Sequence, residues 1–216
     1  MVLSVPVQQG RQVFENLITA LDWLGIIVFS LTGALVASRS QMDLVGFILL
    51  GTVTGIGGGT LRDLLLDIHP IFWIEQPIYV LVCAGVSILA FFSAHLVHPR
   101  YRLLLWLDAA GLALFAATGA ERALGAGAHP IVAVIMGMIT ACFGGIIRDT
   151  LSQERSIIFS YEIYVTAALV AASSFVGLNA MGFGHEIAVS GAFLLGLVLR
   201  GGAIQFGWSL SRYRAK

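Results

Sequence analysis

The chain carries the stretch Gly55-Ile56-Gly57-Gly58-Gly59-Thr60-Leu61-Arg62-Asp63 and, 86 positions later, the related stretch Ala141-Cys142-Phe143-Gly144-Gly145-Ile146-Ile147-Arg148-Asp149. The match extends outward without a gap: residues 21–65 align with residues 107–151 and share 15 identities in 45 positions. About half of the identical residues are Gly, Asp or Arg, which are poor choices for a helix that faces lipid. Chance apolar composition therefore does not explain the repeat. In a membrane chain, such a repeat predicts a permeation or transport fold with its site where the two halves meet.

The composition is that of an integral membrane protein. Hydrophobic residues make up 58% of the 216 residues, charged residues 11%, and the mean hydropathy is +0.91. A soluble domain carries about 25% charged residues, and a membrane-spanning helix needs roughly 20 apolar residues. Seven stretches approach that length: 17–37, 43–66, 77–97, 103–121, 129–150, 161–179 and 186–206. The connections are short, so we predict an all-α integral membrane protein with seven transmembrane helices.

The repeat unit contains three helices, which fixes the relative direction of its two copies. After three crossings the chain lies on the opposite face, so the second copy must be inverted about a pseudo-two-fold axis in the membrane plane. We predict four parts: an N-terminal segment at 1–16, a first three-helix repeat at 17–97, a second, inverted repeat at 103–183, and a seventh helix with a cytoplasmic tail at 184–216.

Basic residues predict the orientation, because they are enriched in short cytoplasmic loops. With the N-terminus outside and the C-terminus in the cytoplasm, the inner face receives Arg39, Arg100, Arg102, Arg148, Arg155, Arg212, Arg214 and Lys216. The outer face then has only Arg11, Arg62 and Arg122. This distribution favours an N-out, C-in arrangement.

The glycine runs predict a break in the second helix of each half. Each glycine inside a helix costs about 1 kcal/mol relative to alanine, and consecutive glycines do not follow the spacing of helix packing. We expect these helices to kink or unwind and to line a path pinched near its middle, with a milder second break because Phe143 replaces a glycine. The predicted pore-shaping residues are Gly57, Gly58, Gly59, Gly144 and Gly145. The alternative is close helix packing, which is our interpretation of Gly25, Gly33, Gly111 and Gly119.

An arginine and an aspartate follow each glycine run, at Arg62-Asp63 and Arg148-Asp149. Charges within spanning segments usually face the bundle interior and mark ion or substrate pathways. Because neighbours at i and i+1 do not share a helix face, we expect each arginine to find its partner elsewhere. Arg62 with Asp149 and Arg148 with Asp63, across the pseudo-two-fold axis, is one hypothesis. The alternative is that both arginines snorkel to the headgroups.

Asp22 and Asp108 open the first predicted helix of each half. They are rival partners for the two arginines; they are either N-caps at the membrane surface or acids that face a cation path. Thr32 and Thr118 are expected to bond to the backbone of their own helices.

Several classes of function are disfavoured by the composition. The formal net charge is zero, which argues against a nucleic-acid partner. Lys216 is the only lysine, so a P-loop or a Schiff-base enzyme is excluded. Cys83 and Cys142 fall in apolar stretches, as buried structural cysteines do. The five histidines lie near loops and do not show the spacing of metal ligands. No nucleophile and base form a catalytic group in the sequence. We therefore predict no enzyme, no cofactor and no metal site.

The doubled motif resembles that of the trimeric intracellular cation channel family. The residues that carry the likeness are Gly57-Gly58-Gly59-Thr60-Leu61-Arg62-Asp63 and Gly144-Gly145-Ile146-Ile147-Arg148-Asp149, which look like its bacterial branch. The resemblance covers about residues 17–206. It implies a homotrimer in the bacterial plasma membrane, with an hourglass pore in each subunit that is kinked at both glycine motifs and passes K⁺ or other monovalent cations.

Two functions remain open. The first is a passive cation channel, in which carbonyls and carboxylates replace water around the ion. In that role Arg62, Asp63, Arg148, Asp149, Asp22 and Asp108 would line or gate the pore. The second is a transporter of a small zwitterion such as glycine, with which the bacterial branch is also associated. The transporter hypothesis explains the arginines better, because a guanidinium can bind the carboxylate of an amino acid.

Overall fold

The computed structural model describes residues 5–93, 100–153 and 163–209, with side chains from residue 20 in the first range and from residue 101 in the second. These residues form eight helices. They are α1 (Val5–Arg39), α2 (Leu44–Leu65), α3 (Phe72–Glu75), α4 (Ile78–Ser93), α5 (Arg100–Gly125), α6 (Pro130–Leu151), α7 (Val165–Ala180) and α8 (His185–Phe206).

Every predicted apolar stretch contains a helix, and the all-helical membrane class is confirmed. Within the described ranges, five segments are long and apolar enough to cross a bilayer: Ala20–Arg39, Leu44–Leu65, Tyr101–Gly125, Pro130–Leu151 and His185–Phe206. The apolar helices α4 and α7 have 16 residues each, or about 24 Å at 1.5 Å per residue. The predicted ends at 94–97 and 161–162 lie outside the described residues. The sequence did not predict α3, nor that α1 would begin as early as Val5.

The helices α2 and α6 run without interruption through their glycines. Asp43 caps α2 by accepting the Gly46 N–H at 2.8 Å, and Pro130 stands in the first turn of α6, where no N–H donor is needed. Helical structure continues from Leu44 to Leu65 and from Pro130 to Leu151. The expected unwinding of these helices is therefore wrong, while the expected kink at their glycines stays a prediction.

Gly58 and Gly144 bring the backbones of α2 and α6 into contact. A methyl group on Gly58 would lie 2.0 Å from the Thr140 carbonyl oxygen, and one on Gly144 would lie 2.4 Å from the Thr54 carbonyl oxygen. Both distances are far below van der Waals contact, so neither site accepts a side chain. Thr54 and Thr140 correspond in the sequence repeat, as do Gly58 and Gly144. The contact is therefore reciprocal, and the two helices cross antiparallel.

The helices α1 and α5 pack through a second reciprocal contact. A methyl group on Gly25 would lie 2.7 Å from the Phe115 ring, and one on Gly111 would lie 2.4 Å from the Phe29 ring. The two rings meet edge to face, with centroids 5.1 Å apart. The close-packing interpretation is confirmed at four glycines of these helices: Gly25, Gly33, Gly111 and Gly119.

The last two helices cover one side of α5. Gly196 on α8 packs against Ala113 of α5 and Ala171 of α7, where a methyl group would lie 3.2 and 2.8 Å from their Cβ atoms. Small residues allow this close approach without a hydrophobic driving force between helices in lipid. The contact places Arg200, one turn further along α8, against the bundle interior, where it is fully buried.

Candidate functional site

Arg148 on α6 is the centre of a buried polar network. Its Nη1 donates to Asp108 Oδ1 at 2.7 Å and to the Thr32 hydroxyl at 3.1 Å. Its Nε donates to Asp149 Oδ1 at 2.8 Å, and the Thr32 hydroxyl donates to the Phe29 carbonyl at 2.7 Å. The network joins α6 to α5 and α1. Arg148 has no exposed surface, so it does not snorkel to the headgroups.

Arg62 forms a smaller network at the end of α2. Its Nε and Nη2 donate to Asp63 Oδ1 at 2.9 and 2.7 Å. The second carboxylate oxygen of Asp63 accepts the Phe72 N–H at 3.1 Å, which fixes the start of α3. Arg62 and Asp63 are both buried. The snorkelling alternative is therefore wrong for Arg62 as well.

The arginines do not pair across the two halves. Arg62 binds Asp63 and not Asp149, while Arg148 binds Asp149 and Asp108 and not Asp63. The argument from i, i+1 spacing is wrong because it considers only where side chains leave the helix. An arginine is long enough to fold along the helix surface, so that its guanidinium reaches the next carboxylate. Asp108, the rival partner, is confirmed for Arg148.

Asp22 pairs with Arg122 instead of Arg62. The Nε of Arg122 donates to Asp22 Oδ2 at 3.0 Å, and Nη2 donates to the same oxygen. Neither Asp22 nor Asp108 is an N-cap, because each lies well inside a helix, α1 or α5. Asp22 is nearly buried and Arg122 is about one third exposed. This ion pair therefore joins α1 and α5 close to a surface of the bundle.

Thr118, Cys83 and Cys142 are the remaining candidate residues. The Thr118 hydroxyl has no hydrogen-bond partner within the described part of the chain, so its expected backbone bond is absent. Cys83 and Cys142 are buried free thiols. Among the described residues, no group of three or more His, Cys, Asp or Glu side chains converges as a metal site would require.

A narrow cavity opens beside Arg62. The lining residues come from α1, α2, α3, α5 and α6: Asp22, Ile26, Gly55, Gly59, Arg62, Phe72, Phe115 and Thr140. The walls combine a carboxylate, a guanidinium and a hydroxyl within an apolar bundle. The cavity is therefore a polar opening from one end of the bundle toward the crossing of α2 and α6.

The corresponding place in the second half is filled. A shift of 86 residues relates Asp22, Gly59 and Arg62 to Asp108, Gly145 and Arg148. There the hydroxyl of Tyr164 stands 2.9 Å from where a Gly145 methyl group would be. The guanidinium of Arg200 lies over the Tyr164 ring, 5.1 Å from its centroid. Tyr164, Arg200, Asp108 and Arg148 are all buried, so side chains fill this end of the bundle.

Known proteins resemble the chain over most of its length. A family model described as a glycine transporter matches residues 19–95 and 105–180. The "UPF0126 membrane protein" of Vibrio cholerae is 37% identical over 202 residues, which cover 92% of this chain and 83% of that protein. The "UPF0126 inner membrane protein YadS" of Escherichia coli K12 is 44% identical over 154 residues, which cover 69% of this chain and 73% of that protein.

Solved structures share the fold. The TRIC trimeric intracellular cation channel orthologue from Rhodobacter sphaeroides superposes with a TM-score of 0.87 and 53% sequence identity, covering 89% of this chain and 99% of that one. The chain belongs to the TRIC family. A prokaryotic TRIC channel determined in 0.5 M KCl gives a TM-score of 0.84 at 31% identity, covering 91% of this chain and all of that one. The resemblance drawn from the glycine and arginine motifs is thus confirmed, and the chain is a bacterial multi-pass membrane protein.

Four residues of this TRIC chain were missed as site residues by the sequence. Arg200 carried a usable signal, because it is a charge inside the apolar stretch 186–206. Arg122 was counted only as an outer-face loop charge, although it forms an ion pair with Asp22 of α1. Phe72 and Tyr164 gave no signal, since aromatic residues are common at membrane interfaces. Their place at the site depends on how α2 and α6 pack.

Proposed function

We propose that the chain is a monovalent cation channel, permeable to K⁺, which assembles as a homotrimer with one hourglass pore in each subunit. The observation that carries the proposal is the 53% identity to the Rhodobacter sphaeroides TRIC channel orthologue over 89% of this chain. A further neighbour at 32% identity, with a TM-score of 0.82, comes from a study of conductance through TRIC cation channels. The trimer is supported by the description of the Rhodobacter sphaeroides neighbour as a trimeric channel orthologue.

The pore is built from two inverted three-helix repeats, at residues 17–97 and 103–183, flanked by the segment 1–16 and the seventh helix and tail at 184–216. Two observations support this division. The blocks matched by the family model begin 86 residues apart, at positions 19 and 105. The glycine contacts between α1 and α5 and between α2 and α6 are reciprocal and antiparallel, as a pseudo-two-fold axis in the membrane plane requires.

The conduction path runs between the cavity at Asp22 and the network at Arg148. The cavity forms one mouth, where the Asp22 carboxylate attracts cations. At the other end, Arg148 is held by Asp108 and Asp149, so this arrangement is the closed state. Because α2 and α6 are continuous, cations are coordinated by carboxylates and hydroxyls and not by freed carbonyls. Kinking at Gly57, Gly58, Gly59, Gly144 and Gly145 remains our prediction for the transition to the open state.

The orientation proposed for the subunit is N-terminus outside and C-terminus in the cytoplasm of a bacterial cell, within the plasma membrane. Arg62 and Arg148 are buried in the protein, so neither counts as a loop charge. Without them the inner face keeps seven basic residues and the outer face keeps Arg11 and Arg122. Leaving these two arginines out of the count strengthens the excess of basic residues on the inner face, and this excess sets the topology. In this orientation the cavity opens outward and the Arg148 network faces the cytoplasm.

The second candidate function is a carrier of a small zwitterion such as glycine. One observation favours it: Arg62 and Asp22 line the same cavity, and a guanidinium and a carboxylate suit the two charged ends of an amino acid. The description of the family model agrees with this reading. Against it, each charge already has a partner, Asp63 or Arg122, which a substrate would have to displace.

Reconstitution separates the two functions. The purified protein is inserted into a planar bilayer under a K⁺ gradient, and unitary currents are recorded. Discrete openings that reverse near the K⁺ equilibrium potential support the channel, because a channel is open to both sides at once. A silent bilayer, with the same preparation in liposomes taking up labelled glycine at a saturable rate, supports the carrier. Liposomes that contain the same lipid without protein serve as the control.

A further inference from the structure

An aromatic side chain stands at the same glycine of each half. A methyl group on Gly59 would lie 2.8 Å from the Phe72 ring, and one on Gly145 would lie 2.9 Å from the Tyr164 hydroxyl oxygen. Gly59 and Gly145 correspond in the repeat. Phe72 belongs to α3, which follows α2, and Tyr164 immediately precedes α7, which follows α6. Each half therefore brings an aromatic residue from beyond its second helix back onto that helix.

The two aromatic residues differ in what they leave open. Phe72 is half-buried and forms one wall of the cavity beside Arg62. Tyr164 is 2% exposed, with Arg200 over its ring. The Arg148 Nη2 and Asp108 Oδ1 atoms also lie near Gly145, at 3.6 and 3.8 Å from the same methyl position. One end of the bundle is thus open beside its aromatic residue, and the other is filled by it.

The ring of Tyr164 is held by packing and not by its hydroxyl group. Within the described part of the chain, no hydrogen-bond partner is found for Tyr164 Oη, Arg148 Nη2 or Asp108 Oδ2. Buried polar atoms without partners are unfavourable, and water would satisfy all three. Displacement of the ring would let water reach these atoms, which offsets part of the burial lost by the ring. Movement of the ring away from Gly145 would therefore cost less than the loss of its burial alone.

We propose that Tyr164 is the plug of the cytoplasmic end of the pore, held by Arg200, and that cations pass only when its side chain leaves Gly145. The proposal rests on the proposed channel function. It assigns a task to α8, which lies outside the repeat: Arg200 holds the plug of the second half, whereas Phe72 in the first half stands beside an open cavity. Tyr164 and Arg200 act as positioning and gating residues, and the Arg148 network forms the wall behind them.

The native thiol of Cys142 reports on the plug. Cys142 lies three residues before Gly145 on α6, hence on the same helix face, and is buried. The experiment uses the full-length protein with Cys83→Ala, so that Cys142 is the only thiol. The reaction of Cys142 with the small cationic reagent 2-aminoethyl methanethiosulfonate is followed by mass spectrometry in detergent. K⁺ currents of the same variants are recorded in planar bilayers.

Tyr164→Ala is expected to speed the modification of Cys142 several-fold and to raise the open probability. Tyr164→Phe, which keeps the ring and removes only the unpartnered hydroxyl group, is expected to match the parent in both measurements. Phe175→Ala is the matched control: Phe175 is a buried aromatic residue of α7 that packs against His185. It should lower stability without exposing Cys142. Arg200→Met should act in the direction of Tyr164→Ala, because it removes the cation that holds the ring.

Two results would overturn the plug. One is an unchanged Cys142 reaction rate in a folded Tyr164→Ala protein; the other is an equal acceleration in Phe175→Ala, which would mean general loosening. Failure of the channel proposal looks different: the parent protein gives no current, while the thiol measurements still show whether Tyr164 covers the path. If Tyr164→Ala does not fold, Arg200→Met decides the matter: an unchanged Cys142 reaction rate and an unchanged open probability in the folded variant would overturn the plug.

Discussion

Arg148 on α6 and Asp108 on α5 share a 2.7 Å hydrogen bond between side chains that are both completely buried. In such surroundings the loss of one partner costs about 3–5 kcal/mol, because the other charge stays buried without compensation. The same guanidinium also binds Asp149 and Thr32. Three helices are therefore tied together at one point, and a channel that opens there must separate or hydrate these groups.

The pairing of Arg148 with Asp108 predicts a specific coupling. Arg148→Met and Asp108→Asn should each lower the unfolding free energy by about 3–5 kcal/mol, and the double variant should lose clearly less than the sum. The coupling is measured by a double-mutant cycle from unfolding in detergent. The control cycle combines Arg148→Met with Asp63→Asn, which should be additive because these residues share no contact. Additivity in both cycles would contradict the network described here.

Neighbouring glycines of the motif should respond differently to alanine. Gly58→Ala places a methyl group 2.0 Å from the Thr140 carbonyl oxygen, whereas Gly57→Ala places one 3.1 Å from the flexible end of Ile147. Overpacking against backbone costs about 1–3 kcal/mol or more, while alanine gains about 1 kcal/mol of helix propensity over glycine. We expect Gly58→Ala to abolish the monodisperse peak in size-exclusion chromatography. Gly57→Ala should keep the peak and the midpoint of thermal unfolding.

Equal effects of these two substitutions would mean that the motif acts through flexibility along the whole run and not through the contact at Gly58. A third variant sharpens the comparison. Gly144→Ala would meet the Thr54 carbonyl oxygen at 2.4 Å, so it should behave like Gly58→Ala in the same chromatography.

The fold was predictable because its signals are local and additive. Apolar length and short connections locate the spanning helices, and the identities between Asp22 and Asp108 or Arg62 and Arg148 locate the repeat. These features need no knowledge of tertiary contacts. The family resemblance rests on the same residues. The membrane class and the TRIC assignment, which depend on these signals, are the predictions that the structure and its relatives confirm.

The roles of individual side chains were harder to predict, because they depend on contacts between helices. A run of glycines has the same sequence whether the helix unwinds or packs against another backbone. The proximity of the Thr140 carbonyl oxygen to Gly58 shows that this helix packs against another backbone. The pairing of Arg62 with Asp63 depends on a rotamer and not on spacing. Tyr164 becomes significant only because Gly145 leaves room for its hydroxyl group.

The helix α3 is expected to depend on one indole hydrogen bond. Trp73 Nε1 donates to the Thr60 hydroxyl at 2.9 Å, and Thr60 in turn donates to the Ile56 carbonyl at 2.7 Å. Trp73→Phe keeps the aromatic surface and removes the donor, so it should lower the unfolding free energy by about 0.5–1.5 kcal/mol. The measurement is chemical unfolding followed by fluorescence. Trp106→Phe, at a half-exposed tryptophan on α5, is the matched control for the optical change.

The cycle with Thr60→Val checks the assignment of that bond. Thr60→Val also removes the bond to the Ile56 carbonyl, so the double variant should lose less than the sum of the two single losses. An additive loss would show that the indole has a different partner and that α3 is anchored elsewhere.

The carboxylate of Asp22 should control the supply of cations to the cavity, with a clear dependence on salt. Asp22→Asn removes one negative charge from the wall of the cavity. Because the Debye length is about 10 Å at 0.1 M and about 3 Å at 1 M salt, the unitary K⁺ current should fall at low ionic strength and approach that of the parent protein near 1 M. The measurement is a conductance series in planar bilayers.

Asp43→Asn is the control for that series, since Asp43 caps α2 at an exposed position and asparagine keeps the cap. It should leave the current unchanged at every salt concentration. If Asp22→Asn lowers the unitary K⁺ current equally at low and high salt, the cause is a change in the shape of the pore. Loss of the ion pair with Arg122 would then matter more than loss of the electrostatic attraction of the carboxylate for cations. No reduction at any salt concentration would mean that cations do not enter through this cavity.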